Sequence, residues 1–267
     1  AKENIKSENI LDQWIISRLN ESIKNVTDLV EKYNAHKATE DIENFVINDL
    51  SNWYVRRSRE RVNPSSVDEK DRQWALQTLW WVLNEYSRLL APFIPFIAEE
   101  IYTNITGAES VHLANWPEFD EEMINKPLEK EIFFARQIVE QAHAIRKEKG
   151  FKVRQPLNSL TSVSPVEISA GTIETISQEV NILSINNTLD STTTASEVKT
   201  IDFKITDELK ALGQMRDIVR MIQEERKKLG TSLTDKVDVT LPAWPSEFEN
   251  EIKRKALVNS LSNGEFR

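Results

Sequence analysis

Apolar positions recur at threes and fours along the first third of the chain. Ile10, Leu11, Trp14, Ile15, Leu19, Ile23, Val26, Leu29, Val30 and Tyr33 mark one face of a helix from Glu8 to Tyr33. Thr39, followed by Glu40 and Asp41, offers an N-cap and first-turn carboxylates to a second helix, whose stripe runs through Ile42, Phe45, Val46, Leu50 and Trp53. Asn63, Pro64, Ser65 and Ser66 end that helix, and Ser66 with Glu69 has the spacing of a capping box. A third helix then presents Trp74, Leu76, Leu79, Trp80, Leu83, Tyr86, Leu89 and Leu90 as its core face. Pro92 and Pro95 break it and hand over to a shorter fourth. VHLANWPEFD has no helical period and reads as a loop packing its aromatic groups back on the bundle. Helical spacing resumes through Leu128, Ile132, Phe133, Ile138, Val139, Ala142 and Ile145 and stops at Gly150, with basic residues in the last turn.

After Gly150 the pattern changes. Between Leu157 and Thr200 serine, threonine, valine and isoleucine dominate, and the runs LTSV and VNILSI read as strands around a short helix near Ile173 to Glu179. Thr206 to Leu229 is again helical, KVDVTLP alternates as a strand closed by Pro242, and a final helix is expected near Ser246 to Leu261. The expected fold is therefore mainly α: a helical bundle over residues 1–126, a long linking helix and basic turn over 127–156, and a smaller α+β domain over 157–267. AIRKEKGFKVRQPLNSLTSVSP and IQEERKKLGTSLTDKVDVTLPAW share an order of basic helix end, glycine, polar turn, strand and proline. An internal repeat and ordinary helix-to-strand grammar both account for that echo.

Composition narrows the function classes. The 267 residues contain no cysteine, which excludes disulfides and thiolate metal sites, and His36, His112 and His143 are too far apart for finger or zincin spacing, so no metal is expected. No signal peptide or long apolar run is present, and the chain reads as cytosolic, off the membrane and monomeric. Glu99 and Glu100 diverge as neighbours on a helix, and no phosphate-cradling glycine loop or nucleophile elbow occurs among six glycines, so no catalytic residue is expected. A net charge of -9 argues against a protein that coats nucleic acid non-specifically.

Two basic islands stand against that acidic total. The stretch SNWYVRRSRERV holds Arg56, Arg57, Arg59 and Arg61 against Glu60, and KEKGFKVRQPL with the residue before it holds Arg146, Lys147, Lys149, Lys152 and Arg154 against Glu148. Helical geometry puts Trp53, Arg57 and Arg61 on one face at four-residue steps, and Arg56 and Arg59 on another. Four guanidiniums this close repel one another unless carboxylates or phosphates compensate, and the planar fork of arginine suits phosphate. The nine cations are thus candidate RNA contacts, with Trp53 and Phe151 as candidates for stacking on bases. The alternative is that the arginine stems lie along neighbouring helices and pair with acids, with Trp53 in the core.

LSNWYVRRSRERV closely resembles the signature helix that follows the catalytic core of isoleucyl-tRNA synthetases. NILDQWIISRLN and LLAPFIPFIAEEIY followed by VHLANWP are similar to the shared elements of the anticodon-binding bundle in class Ia synthetases, and KVRQPL is similar to the isoleucyl family shared by archaea, eukaryotes and some bacteria. The resemblance implies an N-terminal class Ia anticodon-binding bundle whose partner is tRNA(Ile), acting in cis with catalytic and editing domains. No HIGH-like or KMSKS-like motif occurs in this sequence, so by resemblance ATP and magnesium bind outside it, and the chain is expected to begin just after the catalytic core. The cation islands are then either RNA contacts or braces between domains.

Overall fold

A computed structural model describes residues 7–63, 66–232 and 234–266, and the expected break at Pro64 and Ser65 lies outside them. The chain divides into two compact units, residues 1–130 and 131–267. In the first unit α1 (Ile10–Glu31) starts at Asn9, whose Oδ1 accepts the Leu11 N–H at 3.0 Å. It buries Leu11, Trp14, Ile15, Leu19, Ile23 and Val26, as the stripe requires. Tyr33 does not continue that face: the helix has already ended, and the tyrosine is 97% exposed with φ 55°.

The next rod runs without a break from Ala35 to Val62 and begins five residues earlier than an N-cap at Thr39 implies, capped by Asn34. It consists of α2 (Ala35–Asn44), a π-helical segment (Phe45–Val55) and α3 (Arg56–Val62). A π-helix bonds each N–H five residues back, so its turns are wider and its buried row advances by four or five positions. Phe45, Leu50 and Tyr54 are buried along that row, and Asp49 turns inward beside Leu50.

Helix α4 (Glu69–Leu90) is capped by Asp68, whose Oδ1 accepts the Asp71 N–H at 3.0 Å, and not by Ser66. Its buried line is Ala75, Thr78, Val82, Tyr86 and Leu89, whereas Leu76 and Trp80, expected in the core, are 36% and 46% exposed. The small Ala75 and Thr78 admit a neighbouring helix, and the Tyr54 hydroxyl reaches the Ala75 carbonyl at 3.4 Å. Pro95 opens α5 (Pro95–Thr106), which Gly107 ends at φ 70°. The loop after it folds back on α1 as expected: Trp116 Nε1 donates to Thr27 Oγ1 at 2.9 Å, and Lys24 Nζ lies 5.5 Å from the Phe119 ring centroid.

Helix α6 (Lys126–Glu148) crosses the boundary between the units. In the second unit β1 (Leu157–Ser164) is the middle strand of three, parallel to β2 (Ile182–Leu189) and antiparallel to β3 (Glu197–Ile201). Helix α7 (Ala170–Val180) makes the parallel crossover. Then α8 (Asp207–Leu229), β4 (Val237–Leu241), α9 (Glu249–Ala256) and β5 (Val258–Asn263) form a second group, with β4 and β5 parallel. Met215, Ile222, Val239, Leu241, Ile252, Ala256 and Val258 are its core. The expected last helix thus stops at Ala256, because Leu257 turns the backbone into the left-handed region at φ 54° and the next six residues form β5 beside β4.

The sequence echo is a structural repeat. Arg146 and Arg226 each lie four residues before a glycine of positive φ, Gly150 at 73° and Gly230 at 69°. Phe151 N–H donates to Arg146 O at 2.9 Å and Thr231 N–H to Arg226 O at 3.2 Å, the same helix-ending bond. Both guanidiniums are buried and clasp the loop that follows: Arg146 donates to the carbonyls of Lys152 (2.7 Å) and Gln155, Arg226 to those of Ser232 (3.0 Å) and Asp235 (2.7 Å). Each pair of acceptors lies six and nine residues beyond its arginine. A parallel β-α-β crossover follows in both halves, with Leu157 N–H donating to Asn181 O and Val237 N–H to Leu257 O, each at 3.1 Å.

Candidate nucleic-acid interface

The two islands divide into cations that face solvent and cations that hold the fold. Helix α3 leaves Arg56 and Arg59 exposed, half-buries Arg57 and Arg61, and buries Ser58. Burial lowers the Arg57 pKa, and the neighbouring Arg56 charge lowers it further. The fork of Arg61 closes on two carboxylates. Its Nη1 and Nη2 donate to both oxygens of Asp12 at 2.8 and 2.7 Å, and its Nε and Nη2 donate to both oxygens of Asp71 at 2.8 Å. Burial alone would lower the Arg61 pKa, but the hydrogen bonds and charges of Asp12 and Asp71 outweigh it and hold the pKa above the ordinary arginine value.

Asp12 is wholly buried and also accepts from the Ser7 hydroxyl at 2.6 Å and the Tyr54 hydroxyl at 2.8 Å, so this one carboxylate ties α1, the π segment and α3 together. Arg18 makes a parallel tie, its Nε donating to Asp49 Oδ2 of the π segment at 3.0 Å. Arg61 is therefore an internal brace. Trp53 is only 6% exposed, so its ring lies in the core and is not open to a base as the sequence suggests.

In the second island Lys147, Lys149 and Lys152 are exposed. Arg146 is fully buried and its guanidinium points at loop carbonyls, so it cannot meet a phosphate without unfolding the loop. Its pKa is pushed down to about 10, first by burial and then by the Arg216 charge. Arg154 is half-buried, with its Nε 3.2 Å from Asp217 Oδ1, and the Phe151 ring packs on Phe203 at 4.9 Å between centroids. Phe151, Arg154 and Asp217 border a cavity of about 240 Å³ that Gln155 and Gly213 also line. A Cβ at residue 213 would meet Gln155 Oε1 at 2.7 Å, so the glycine is what admits the Gln155 amide, which donates to Leu209 O at 2.9 Å.

Arg56, Arg59, Lys147, Lys149 and Lys152 thus present charge to solvent, and Arg154 presents it partly. This suits phosphate neutralisation and supplies no acid, base or nucleophile placed for bond chemistry. Among the described residues no group of three His, Cys, Asp or Glu side chains is placed to hold a metal ion, and no helix is long and apolar enough to cross a membrane. Asp12 and Asp71, which take up Arg61, were not singled out in the sequence. The available signal was a carboxylate at position 12 beside the apolar face of α1.

The chain is similar to part of several isoleucine–tRNA ligases. Isoleucine–tRNA ligase of Clostridium tetani is 40% identical over 230 residues, which is 84% of this chain and 21% of the relative. The corresponding ligase of Thermococcus kodakarensis is 42% identical over 171 residues, 62% of this chain and 16% of its own, and that of Pyrococcus furiosus 44% over 153 residues, 56% and 14%. The chain spans about a fifth or less of these relatives' length. The family described as the anticodon-binding domain of tRNA ligase matches residues 12–161, from the carboxylate that anchors Arg61 to the middle of β1. By that match the chain belongs to the anticodon-binding domain family of the tRNA ligases, and its named relatives are isoleucine–tRNA ligases.

Proposed function

We propose that this chain binds the anticodon region of tRNA(Ile) and positions that tRNA for ATP-dependent aminoacylation by a catalytic domain outside this sequence. The observation that carries the reading is the division of the islands. Arg61 and Arg146 are engaged internally, while five cations of the two islands are exposed, in a chain of net charge -9 that belongs to an anticodon-binding family. Local cations in an acidic protein favour a guided, limited footprint on the phosphate backbone. ATP and magnesium then act with the catalytic part of the ligase, and this chain contributes affinity and orientation.

The Arg61 brace favours a second reading for the signature helix alone: it stiffens the bundle, and the RNA contacts lie elsewhere. Binding of the chain to isoleucine tRNA and to a non-cognate tRNA across a salt series tests both. Preferential binding that weakens log-linearly with salt is expected. Equal binding of the two tRNAs, or none, would remove the specificity assigned to this chain.

A further inference from the structure

The hairpin between α1 and α2 carries a residue that neither the apolar stripe nor the cation islands explain. Three non-glycine residues among those described have positive φ: Tyr33, Asn181 and Leu257. Asn181 is buried, and its Nδ2 donates to the carbonyls of Val153 (2.8 Å) and Arg154 (3.0 Å). Leu257 is half-buried, and its carbonyl accepts the first N–H of β4. Tyr33 has only a backbone bond of the helix end, from its N–H to Val30 O at 2.9 Å, and its side chain stands in solvent at 97% exposure.

Glycine or asparagine is the low-energy occupant of such a position, and a bulky side chain there is strained. Exposure of the ring returns no burial energy either. Both local terms therefore run against tyrosine, and its value lies in what the ring meets outside the chain.

The surroundings indicate what that is. Lys32 and Lys37 are exposed on either side of Tyr33, and His36 is exposed beside them. Among the nearby carboxylates Asp28 and Glu31 are exposed, Glu40 Oε1 lies 3.5 Å from His36 Nε2, and Asp41 accepts from Ser22 Oγ at 2.5 Å and from Asn25 Nδ2 at 3.3 Å. An exposed aromatic ring with one exposed lysine a residue before it and another four residues after it suits an unstacked base with flanking phosphates, the form in which single-stranded RNA is recognised. We propose that Tyr33 is a stacking platform for an unpaired base of the bound tRNA, with Lys32 and Lys37 meeting the flanking phosphates. This rests on the tRNA-binding reading above and adds to it a contact that lies outside both basic islands.

The test compares the 267-residue chain with its Tyr33→Phe and Tyr33→Gly variants in binding to isoleucine tRNA across a salt series, and in thermal unfolding. Tyr33→Phe keeps the ring and should bind within about twofold of the parent, since the stacking energy resides in the π face. Tyr33→Gly should weaken binding roughly 5- to 150-fold with an unchanged salt slope, because the lost contact is uncharged. The same variant should melt about 2–5 °C higher, because glycine adopts the left-handed conformation freely. Affinity and stability moving in opposite directions is the expected signature. Parent-like binding by Tyr33→Gly overturns the platform, leaves the anticodon-binding reading standing and makes a protein contact the better account of the ring. A joint fall in melting temperature and affinity also overturns it, because the ring would then be supporting the fold. Failure of the parent chain itself to bind tRNA overturns both readings.

Discussion

Arg61 in the first unit and Arg146 in the second are both largely buried arginines of basic stretches, yet their surroundings are opposite. Arg61 meets two carboxylates, one of them wholly buried, and its charge is held more firmly than in water. Arg146 donates to backbone carbonyls, its Nε and Nη1 have no hydrogen-bond partner among the described residues, and the nearby charge that affects it is the cation of Arg216. Carboxylates return what burial takes from a guanidinium, whereas carbonyls return only dipoles. The first arrangement locks helices to one another. The second orders a loop and leaves the loop's own side chains outside.

The largest expected effect comes from breaking the first lock. Arg61→Ala should destabilise the first unit by about 3–5 kcal/mol, because it leaves Asp12 charged and buried, and urea denaturation would measure it. Adding Asp12→Asn should recover part of the loss, since the two sites share one network. A single variant that unfolds within 0.5 kcal/mol of the parent would contradict the brace. Arg146→Met should destabilise by about 1–3 kcal/mol, less than the first, because it strands carbonyls and no charge. Amide exchange should show lost protection at Gln155, whose N–H is bonded to Lys152 O within the clasped loop.

Alkaline pH sharpens the contrast, with opposite signs in the two units. Burial, and after it the Asp12 charge, raises the Tyr54 pKa, and burial followed by the Asp41 charge raises that of Tyr86, each from an ordinary value of 10.0. Above pH 10 the unfolded phenols lose protons that the folded ones keep, so the first unit should lose up to about 1.4 kcal/mol per pH unit per tyrosine. Arg146 runs the other way. Burial and the Arg216 charge hold its folded pKa near 10, below the ordinary arginine value, so the folded state holds fewer protons above that pH and the penalty for burying the charge is relieved as pH rises. Melting curves between pH 9 and 11.5 should show the first unit weakening ahead of the second, and Tyr86→Phe should flatten the slope. The smallest effects belong to the exposed cations. Arg59→Ala and Lys152→Ala should each leave stability within about 0.5 kcal/mol while lowering the tRNA salt slope by about 1.

Much of this architecture was legible in the chain, for reasons that also mark where reading stopped. The periodicities of α1 and α6 report burial over most of their length, Val30 and Phe133 being expected in the core yet 40% and 57% exposed, and the grouping of Arg57 and Arg61 away from Arg56 and Arg59 survived because α3 itself is α-helical. The π segment just before it was invisible, since a wider turn is a property of the hydrogen-bond ladder and demands no residue type. The stripe on α4 misled because large aromatic residues can cover an edge while Ala75 and Thr78 make the close contact. The helix expected to run to Leu261 covers the start of β5, and only the left-handed turn at Leu257 separates that strand from α9. Tyr33 fitted the α1 stripe by spacing alone, although the stripe had ended two residues earlier. The staples were half visible: the arginine, the glycine four residues later and the strand were all in the echo, but not that the guanidinium folds back onto main-chain oxygens.

Every amino acid carries a main-chain oxygen, so the clasp made by Arg146 and Arg226 is blind to what the loop displays. In the first copy the clasped loop shows Lys152 and Arg154; at the corresponding places the second shows Ser232 and Thr234. The scaffold therefore works as an interchangeable mount, on which mutation can rewrite the exposed letters of one copy while the hinge, the latch and the neighbouring copy stay as they were.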